Sequence, residues 1–431
     1  MARTDDSLLD VTAQPFELTE RRIDNQQLNL REHAAGETRL ISRPLAVFIE
    51  LTQNCNLHCP MCRSAGEYDS SRDLAWELFD RAAAELFPTA HIVDLRGWGE
   101  STVLADFARA VARAAEHRVQ LRLVTNGQIN RPAIWDFMMR AHAIVAVSCD
   151  AADPQLFASL RAGGTIERLR ATVAALVDAR DRYGAPRDAV HFNTVASLEN
   201  LHDLPGIVEL ASDLGVGRVV VHPIVTHLSD PVHLRHDLRR TETAYEDMAR
   251  RARDLGVIVQ VGSAPDTALA IPELVRRPAC MHPWSYAYVS YDGGVGFCDH
   301  MIGTERYTLG SLRDSSFEQI WNGPDWVAVR EQHLSGRISD RFAPCRYSYA
   351  HRYIDFEHLL DPDRAAGLLT SAAGTPLTRR SGPENVSVPW TPEMAGIDSR
   401  RPPGGTLVPL DYPAVRDVLR REPRPAPGQQ A

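Results

Sequence analysis

Lysine is missing from this sequence altogether. All 47 of its Lys or Arg positions are arginine, in a chain of 431 residues. Chemistry that runs through a lysine Schiff base is therefore excluded, because no ε-amine exists to form one. Long apolar runs are missing too. None approaches the roughly 20 residues that a bilayer-spanning helix needs, so no membrane association is expected. The opening residues, MARTDDSLLD, lack the basic-then-apolar order of a secretory signal, and a cytoplasmic location is expected. Positive charge is in deficit. The formal net charge is −9, whereas nucleic-acid grooves are strongly basic, so no nucleic-acid partner is expected. Cysteine is scarce, seven in all, at positions 55, 59, 62, 149, 280, 298 and 345. An odd, clustered set in a cytoplasmic protein favours metal binding over a disulfide framework.

What is present is an ordinary globular composition, 44% hydrophobic and 24% charged. From residue 46 onward, short apolar runs alternate with longer amphipathic stretches. Strands are predicted over 46–51, 91–97, 119–127, 143–150, 190–196 and 217–225, with 257–262 as a possible seventh. Helix-like stretches such as 74–87 and 103–117 lie between them. This alternation reads as successive βα units and a parallel α/β sheet, which right-handed crossovers curl into a partial TIM-like (β/α)6 barrel. Functional loops of such folds lie at the C-terminal strand ends. The motifs TQNC, GWGE, TNG and SCD follow successive strands and would share one rim. Four regions are expected: an N-terminal extension over 1–45, the barrel over 46–265, a small cysteine-bearing subdomain over 270–360, and a Pro/Gly/Arg-rich arm and tail over 361–431.

Cys55, Cys59 and Cys62 stand at C-x3-C-x2-C on the loop after the first strand. Three thiolates on a 4Fe–4S cube leave one iron without a protein ligand, and a bare iron can chelate a small molecule and pass it an electron. Structural zinc is the alternative, although the paired C-x2-C halves usual there are lacking. The spacing resembles the radical S-adenosylmethionine (radical SAM) superfamily. That resemblance implies a 4Fe–4S cluster on these three cysteines, S-adenosylmethionine on the open iron, a 5′-deoxyadenosyl radical that abstracts hydrogen from carbon, and an external flavodoxin- or ferredoxin-like one-electron reductant.

Other motifs carry the same resemblance across residues 46–225. Gly97, Gly99 and Glu100 of GWGE resemble the element that holds the cosubstrate's amino group. Two glycines allow close backbone approach, and carbonyls or a carboxylate accept from an ammonium. Ser101 stands where the family often has proline. Asn126 lies in the frequent TNG turn. Ser148, beside Asp150, matches a ribose or methionyl contact, Arg161 a carboxylate partner, and Asn193 an adenosine contact. Read without the resemblance, Asp150 is equally a cap for a helix starting near Pro154, and Arg161 a residue on a solvated helix face.

Cys280, Gly293 and Cys298 match the opening of the auxiliary-cluster subdomains called SPASM and, when shortened, Twitch. The segment WSYAYVSYDGGVGFC between them reads as a β-hairpin with DGG at its turn. Cys345 is the expected next cysteine. The family then continues C-x2-C, but position 348 is Ser. The resemblance therefore implies a second, auxiliary 4Fe–4S cluster on Cys280, Cys298 and Cys345. Asp299, His300, Ser348, His351 or a substrate atom are the candidates for its fourth corner, and zinc with His282, or no metal at all, are the alternatives.

Cys149 lies outside both trios. A hydrogen-donating thiol there would make the enzyme an epimerase, whereas strand alternation places it under the helices, opposite Ser148 and Asp150. An electron-accepting auxiliary cluster would make it a dehydrogenase. By family analogy the expected substrate is a small hydroxylated molecule, a sugar or aminocyclitol of antibiotic biosynthesis, since 45 residues before the barrel are few for a peptide-recognition domain. Arg63, Glu67, Tyr68, Arg96, Trp98, His222 and Trp284 are candidates to line its pocket. The alternative is a peptide maturase forming a thioether or other crosslink.

Overall fold

The computed structural model describes residue 9 and residues 13–62, 68–224, 230–261, 280–298, 307–342 and 345. Seven strands alternate with helices as the sequence leads one to expect: β1 (Ala46–Ile49), β2 (Ile92–Asp94), β3 (Gln120–Thr125), β4 (Ile144–Ser148), β5 (Val190–Ala196), β6 (Arg218–Pro223) and β7 (Ile258–Val261). Each pairs in parallel with the next. Between them run α2 (Trp76–Leu86), α3 (Phe107–Glu116), α4 (Pro132–Arg140), α5 (Pro154–Leu160), α6 (Ile166–Tyr183), α7 (Leu204–Asp213) and α8 (Leu238–Leu255). The strands are buried on both faces: apolar side chains meet the helices that cover one side, while the barrel interior also takes polar and charged ones, among them Asp94, Gln120, Arg122, His191 and Arg218. Val47, Val93, Leu121, Val145 and Phe192 face the helices in one large core, while Ala46, Phe48 and Ile92 belong to a smaller inner cluster.

The region of the second cysteine trio is not detached from this sheet. Strand β8 (Tyr286–Val289) lies parallel against β1, with Tyr288 opposite Phe48. Its alternation explains the docking: Tyr286 and Tyr288 join the inner cluster, and Ala287 and Val289 the outer core. β9 (Gly294–Gly296) returns antiparallel, and β10 (Gly310–Ser311) follows it. The sheet order is thus β10-β9-β8-β1-β2-β3-β4-β5-β6-β7. The predicted hairpin forms, and Gly293 takes its turn at φ +85°, a region open to glycine at little cost.

The stretch before β1, polar in sequence, holds a regular helix, α1 (Glu20–Ala35), which starts on the Thr19 hydroxyl and ends on left-handed Gly36. Several of its buried polar residues find partners on distant segments. The Arg22 guanidinium donates to the carbonyls of Phe87, Ala90 and His117, where α2 and α3 end and a cation is favoured. Asn29 donates to Trp284 O and Ser42 Oγ. The indoles of Trp284 and Trp321 donate to Glu37 O and Ser42 O. Among the described residues no helix is long and apolar enough to cross a membrane.

Candidate active site

The chain leaves β1 through Glu50 and Leu51 into the loop that carries Cys55, Cys59 and Cys62. Polar clamps fix this loop. The Asn54 amide donates to Asp69 O and Asp73 Oδ1, and its oxygen accepts from Asp69 N. The Thr52 hydroxyl reaches the same Asp73 oxygen at 2.5 Å. Asn54 and Asp73 escaped the sequence reading. Their only signal was a polar pair flanking the cysteines.

The GWGE turn packs directly on that loop. A Cβ at Gly99 would sit 2.4 Å from Thr52 O and 2.6 Å from Asn54 O, and one at Gly97 would sit 2.3 Å from Glu50 Cγ. Only glycine fits at either place. Glu50 accepts from Trp98 N, and Asn54 O accepts from Glu100 N at 2.9 Å. The Glu100 carboxylate is fully engaged. One oxygen accepts from Thr102 N, the Thr102 hydroxyl and the Thr125 hydroxyl, and the other from Asn126 N at 2.6 Å. Burial pushes this carboxyl up, against the pull of those donors. Glu100 therefore ties the second rim loop to the third.

Asn126, so held, aims its side-chain amide at the first loop, 3.7 Å from Cys55 Sγ and 2.8 Å from Asn56 Oδ1. A backbone N–H, that of Leu57, also points at Cys55 Sγ at 3.4 Å. The Arg161 guanidinium approaches the Cys59 thiol. It also pairs with Asp150, Nε to Oδ2 at 2.5 Å. Asp150 caps nothing near Pro154. That cap is Asp153, which accepts from Gln155 N and Leu156 N, while Asp150 accepts from Val195 N. The loop after Arg161 backs the cysteines through Ala162 O, which accepts from His58 N at 2.8 Å.

Ser148 and Asn193 stand side by side in the β4–β5 register. Among the described residues Asn193 Oδ1 is buried without a hydrogen-bond partner, an acceptor that a donor on a ligand would satisfy. Cys149 goes elsewhere. It is wholly buried in the outer core, its thiol directed to Ala151 O, and burial raises its pKa. A hydrogen-donating role for Cys149 is corrected accordingly: strand alternation turns its thiol into the core, away from Ser148 on the inner face.

Cys280, Cys298 and Cys345 are all buried. Cys280 precedes the short helix His282–Ser285 and Cys298 follows β9. Asp299, His300, Ser348 and His351 lie outside the described residues, as do Arg63 and Glu67. His282 stacks on Tyr286 at 4.0 Å between centroids. Trp284 is packing rather than pocket, being fully buried. Tyr68 is exposed and bonded to Asp73. Arg96 pairs with Asp94 at 3.2 Å and covers the Phe48 ring. Trp98 and His222 are part-buried at the strand ends.

The donor set of the first trio fits an iron–sulfur cube. Burial first, then the nearby Glu100, Cys59 and Cys62, push the Cys55 thiol up to about 11 against the pull of the Leu57 N–H, so a thiolate there calls for a bound cation. N–H donors already point at two of the sulfurs, Leu57 N and Asn126 Nδ2 at Cys55 and the Arg161 guanidinium at Cys59, contacts of the kind that tune ligating thiolates. Among the described residues no three His, Cys, Asp or Glu side chains close on a single ion position. A cube asks for none, since each thiolate takes its own iron.

Comparison with known proteins agrees. Residues 49–211 match the Radical SAM superfamily and residues 280–347 the SPASM iron–sulfur cluster-binding domain. The chain is a radical SAM enzyme with a C-terminal SPASM-type region, using a 4Fe–4S cluster and S-adenosylmethionine together with auxiliary iron–sulfur chemistry. A tungsten-containing aldehyde ferredoxin oxidoreductase cofactor-modifying protein of Pyrococcus furiosus is 25% identical over 66% of this chain and 82% of its own. A PqqA peptide cyclase of Ruegeria pomeroyi is 27% identical over 71% and 83%. Crystal structures of Streptococcus suis SuiB share the fold. The complex with S-adenosylmethionine has TM-score 0.54 at 17% identity, covering 70% of this chain and 71% of that one. The complex with its precursor peptide SuiA has TM-score 0.54 at 16% identity, covering 71% and 70%.

These relatives overturn the expectation of a sugar or aminocyclitol substrate, with its dehydrogenase and epimerase readings and the link to antibiotic biosynthesis. The curated relatives are named for peptide cyclisation or cofactor modification, and SuiB is solved on a precursor peptide. The analogy failed because it rested on the short stretch before the barrel, which carries no information about what the rim binds.

Proposed function

We propose that this chain modifies a peptide, introducing a crosslink by hydrogen abstraction from a side-chain carbon. The observation that carries the reading is the run of PqqA peptide cyclases, one of which aligns over 83% of its own length.

In this reading Cys55, Cys59 and Cys62 hold the first cluster. When bound, that cluster and S-adenosylmethionine supply the 5′-deoxyadenosyl radical. The Gly97–Gly99 backbone receives the cosubstrate's ammonium, because the Glu100 carboxylate is already spent on Thr102, Thr125 and Asn126. Ser148 and Asn193 receive the nucleoside, Asn193 through its unmatched Oδ1. Arg161, oriented by Asp150, receives the carboxylate. Cys280, Cys298 and Cys345 hold a single auxiliary cluster, since Cys149 is locked in the core and no other cysteine exists.

The test is anaerobic incubation of the reconstituted protein with S-adenosylmethionine, dithionite and synthetic short peptides encoded beside its gene. The expected product is a peptide lighter by two hydrogens, formed together with 5′-deoxyadenosine. Protein that makes 5′-deoxyadenosine while leaving every such peptide unbound and unchanged overturns the reading. The cofactor-modifying relative then becomes the better guide.

A further inference from the structure

We propose that Asn126 sets the reduction potential of the cluster held by Cys55, through a side-chain N–H···S hydrogen bond that Glu100 keeps in place. The inference needs the cluster on the first trio but does not depend on a peptide substrate.

Glu100, Thr125 and Asn126, which form the relay, are all buried. Glu100 Oε2 accepts from Asn126 N at 2.6 Å, and Oε1 accepts from the Thr125 hydroxyl at 2.9 Å, so a single carboxylate grips two successive residues of the turn. Gly127 N donates to Thr125 Oγ1 and Gln128 N to Asn126 Oδ1. That second bond settles the amide's orientation: its oxygen is occupied by a donor, so its NH2 faces the cysteine loop. There Nδ2 has two acceptors, Asn56 Oδ1 at 2.8 Å and Cys55 Sγ at 3.7 Å. A neutral thiol is a weak acceptor and needs no such partner. A cluster-bound thiolate is a good one.

The direction of the effect follows from charge. Reduction adds one electron, supplied by the external reductant, and no proton, so negative charge grows on the cluster sulfurs. An N–H dipole aimed at sulfur stabilises that reduced state more than the oxidised one and raises the potential. Asn126 thus eases delivery of the electron that the radical chemistry consumes. Glu100 is a positioning residue. Its carboxylate does not approach the sulfur but fixes the turn from which Asn126 reaches it.

The test is a redox titration with mediators, followed by electron paramagnetic resonance of the reduced cluster, on reconstituted full-length protein carrying a Cys280/Cys298/Cys345→Ala background so that one cluster remains. Asn126→Ala removes the donor. Asn126→Asp keeps the shape and puts a carboxylate oxygen beside the sulfur. The reduced-to-oxidised ratio at fixed potential is expected to fall about tenfold in N126A, equal to about 59 mV for one electron, and further in N126D. Glu100→Gln, which weakens the grip on Asn126 N, is expected to shift the same way by less. Potentials unchanged in both Asn126 variants at wild-type iron content overturn the proposal. So does loss of the cluster from both, which would make Asn126 a structural post for the loop.

Discussion

Arg161 and Asp150 form a buried ion pair that joins the end of β4 to the loop behind the cysteines, Nε lying 2.5 Å from Oδ2. Asp150 is wholly inaccessible, so its charge is tolerable only because the guanidinium sits against it. Breaking such a pair from one side leaves an unmatched charge in a low-dielectric interior.

Asp150→Asn is therefore expected to destabilise the protein by about 3 kcal/mol or more, read as a lowered midpoint in chemical denaturation. Asp150→Asn combined with Arg161→Gln should recover part of that loss. Equal midpoints for wild type and the single variant would show the pair to be energetically idle.

The two kinds of glycine in this chain should separate cleanly. Gly99→Ala forces a methyl against the Thr52 and Asn54 carbonyls. The expected outcome is loss of the first cluster's share of the reconstituted iron, about half with two equal clusters, because the cysteine loop cannot move without breaking its Asp73 clamp. Gly184→Ala, at φ +62° with nothing within 4 Å, meets only backbone strain, costing about 1 kcal/mol, and should keep full iron content. Normal iron in G99A would contradict the packing described.

His91, at the base of β2, donates from Nε2 to Arg22 O at 3.3 Å. Burial, chiefly, drives its pKa down to about 4. The unfolded chain therefore binds a proton near pH 6.5 that the folded chain refuses until about pH 4. Proton uptake by the unfolded state alone means that stability falls as pH drops through this window, by roughly 3 kcal/mol at about 1.4 kcal/mol per pKa unit. Denaturation midpoints recorded from pH 7 to 4 should show this slope, and His91→Gln should flatten it. A slope identical in both proteins would assign it elsewhere.

Cys149→Ala should leave iron content and S-adenosylmethionine cleavage at wild-type levels, while shaving about 1 to 2 kcal/mol from stability through lost packing. A collapse of cleavage in a variant that keeps its iron would restore this thiol to the chemistry.

Much of the site was legible because its signals are covalent and local. The interval between Cys55, Cys59 and Cys62 is written in the chain, and strands buried on both faces announce themselves as apolar runs. GWGE, TNG and SCD were placed at the right strand ends for the same reason. Single-residue roles were harder to read. The carboxylate of Glu100 looked available for an ammonium and is instead held by Thr102, Thr125 and Asn126. Asp150 looked like a helix cap and is an ion-pair partner. Helix α1, polar in sequence, is buried against carbonyls that belong to α2, α3 and Trp284.

By itself, then, the sequence determined the spacing of Cys55, Cys59 and Cys62, the order of the rim loops and the parallel α/β framework, since each depends on spacing or on periodic burial. Tertiary structure alone decided that β8 joins β1 in the same sheet, that Cys149 faces the core, and that Asn126 reaches Cys55 across about 70 residues. A buried polar group takes whichever partner the fold brings within hydrogen-bond reach. That partner comes from a distant segment, which no local pattern encodes.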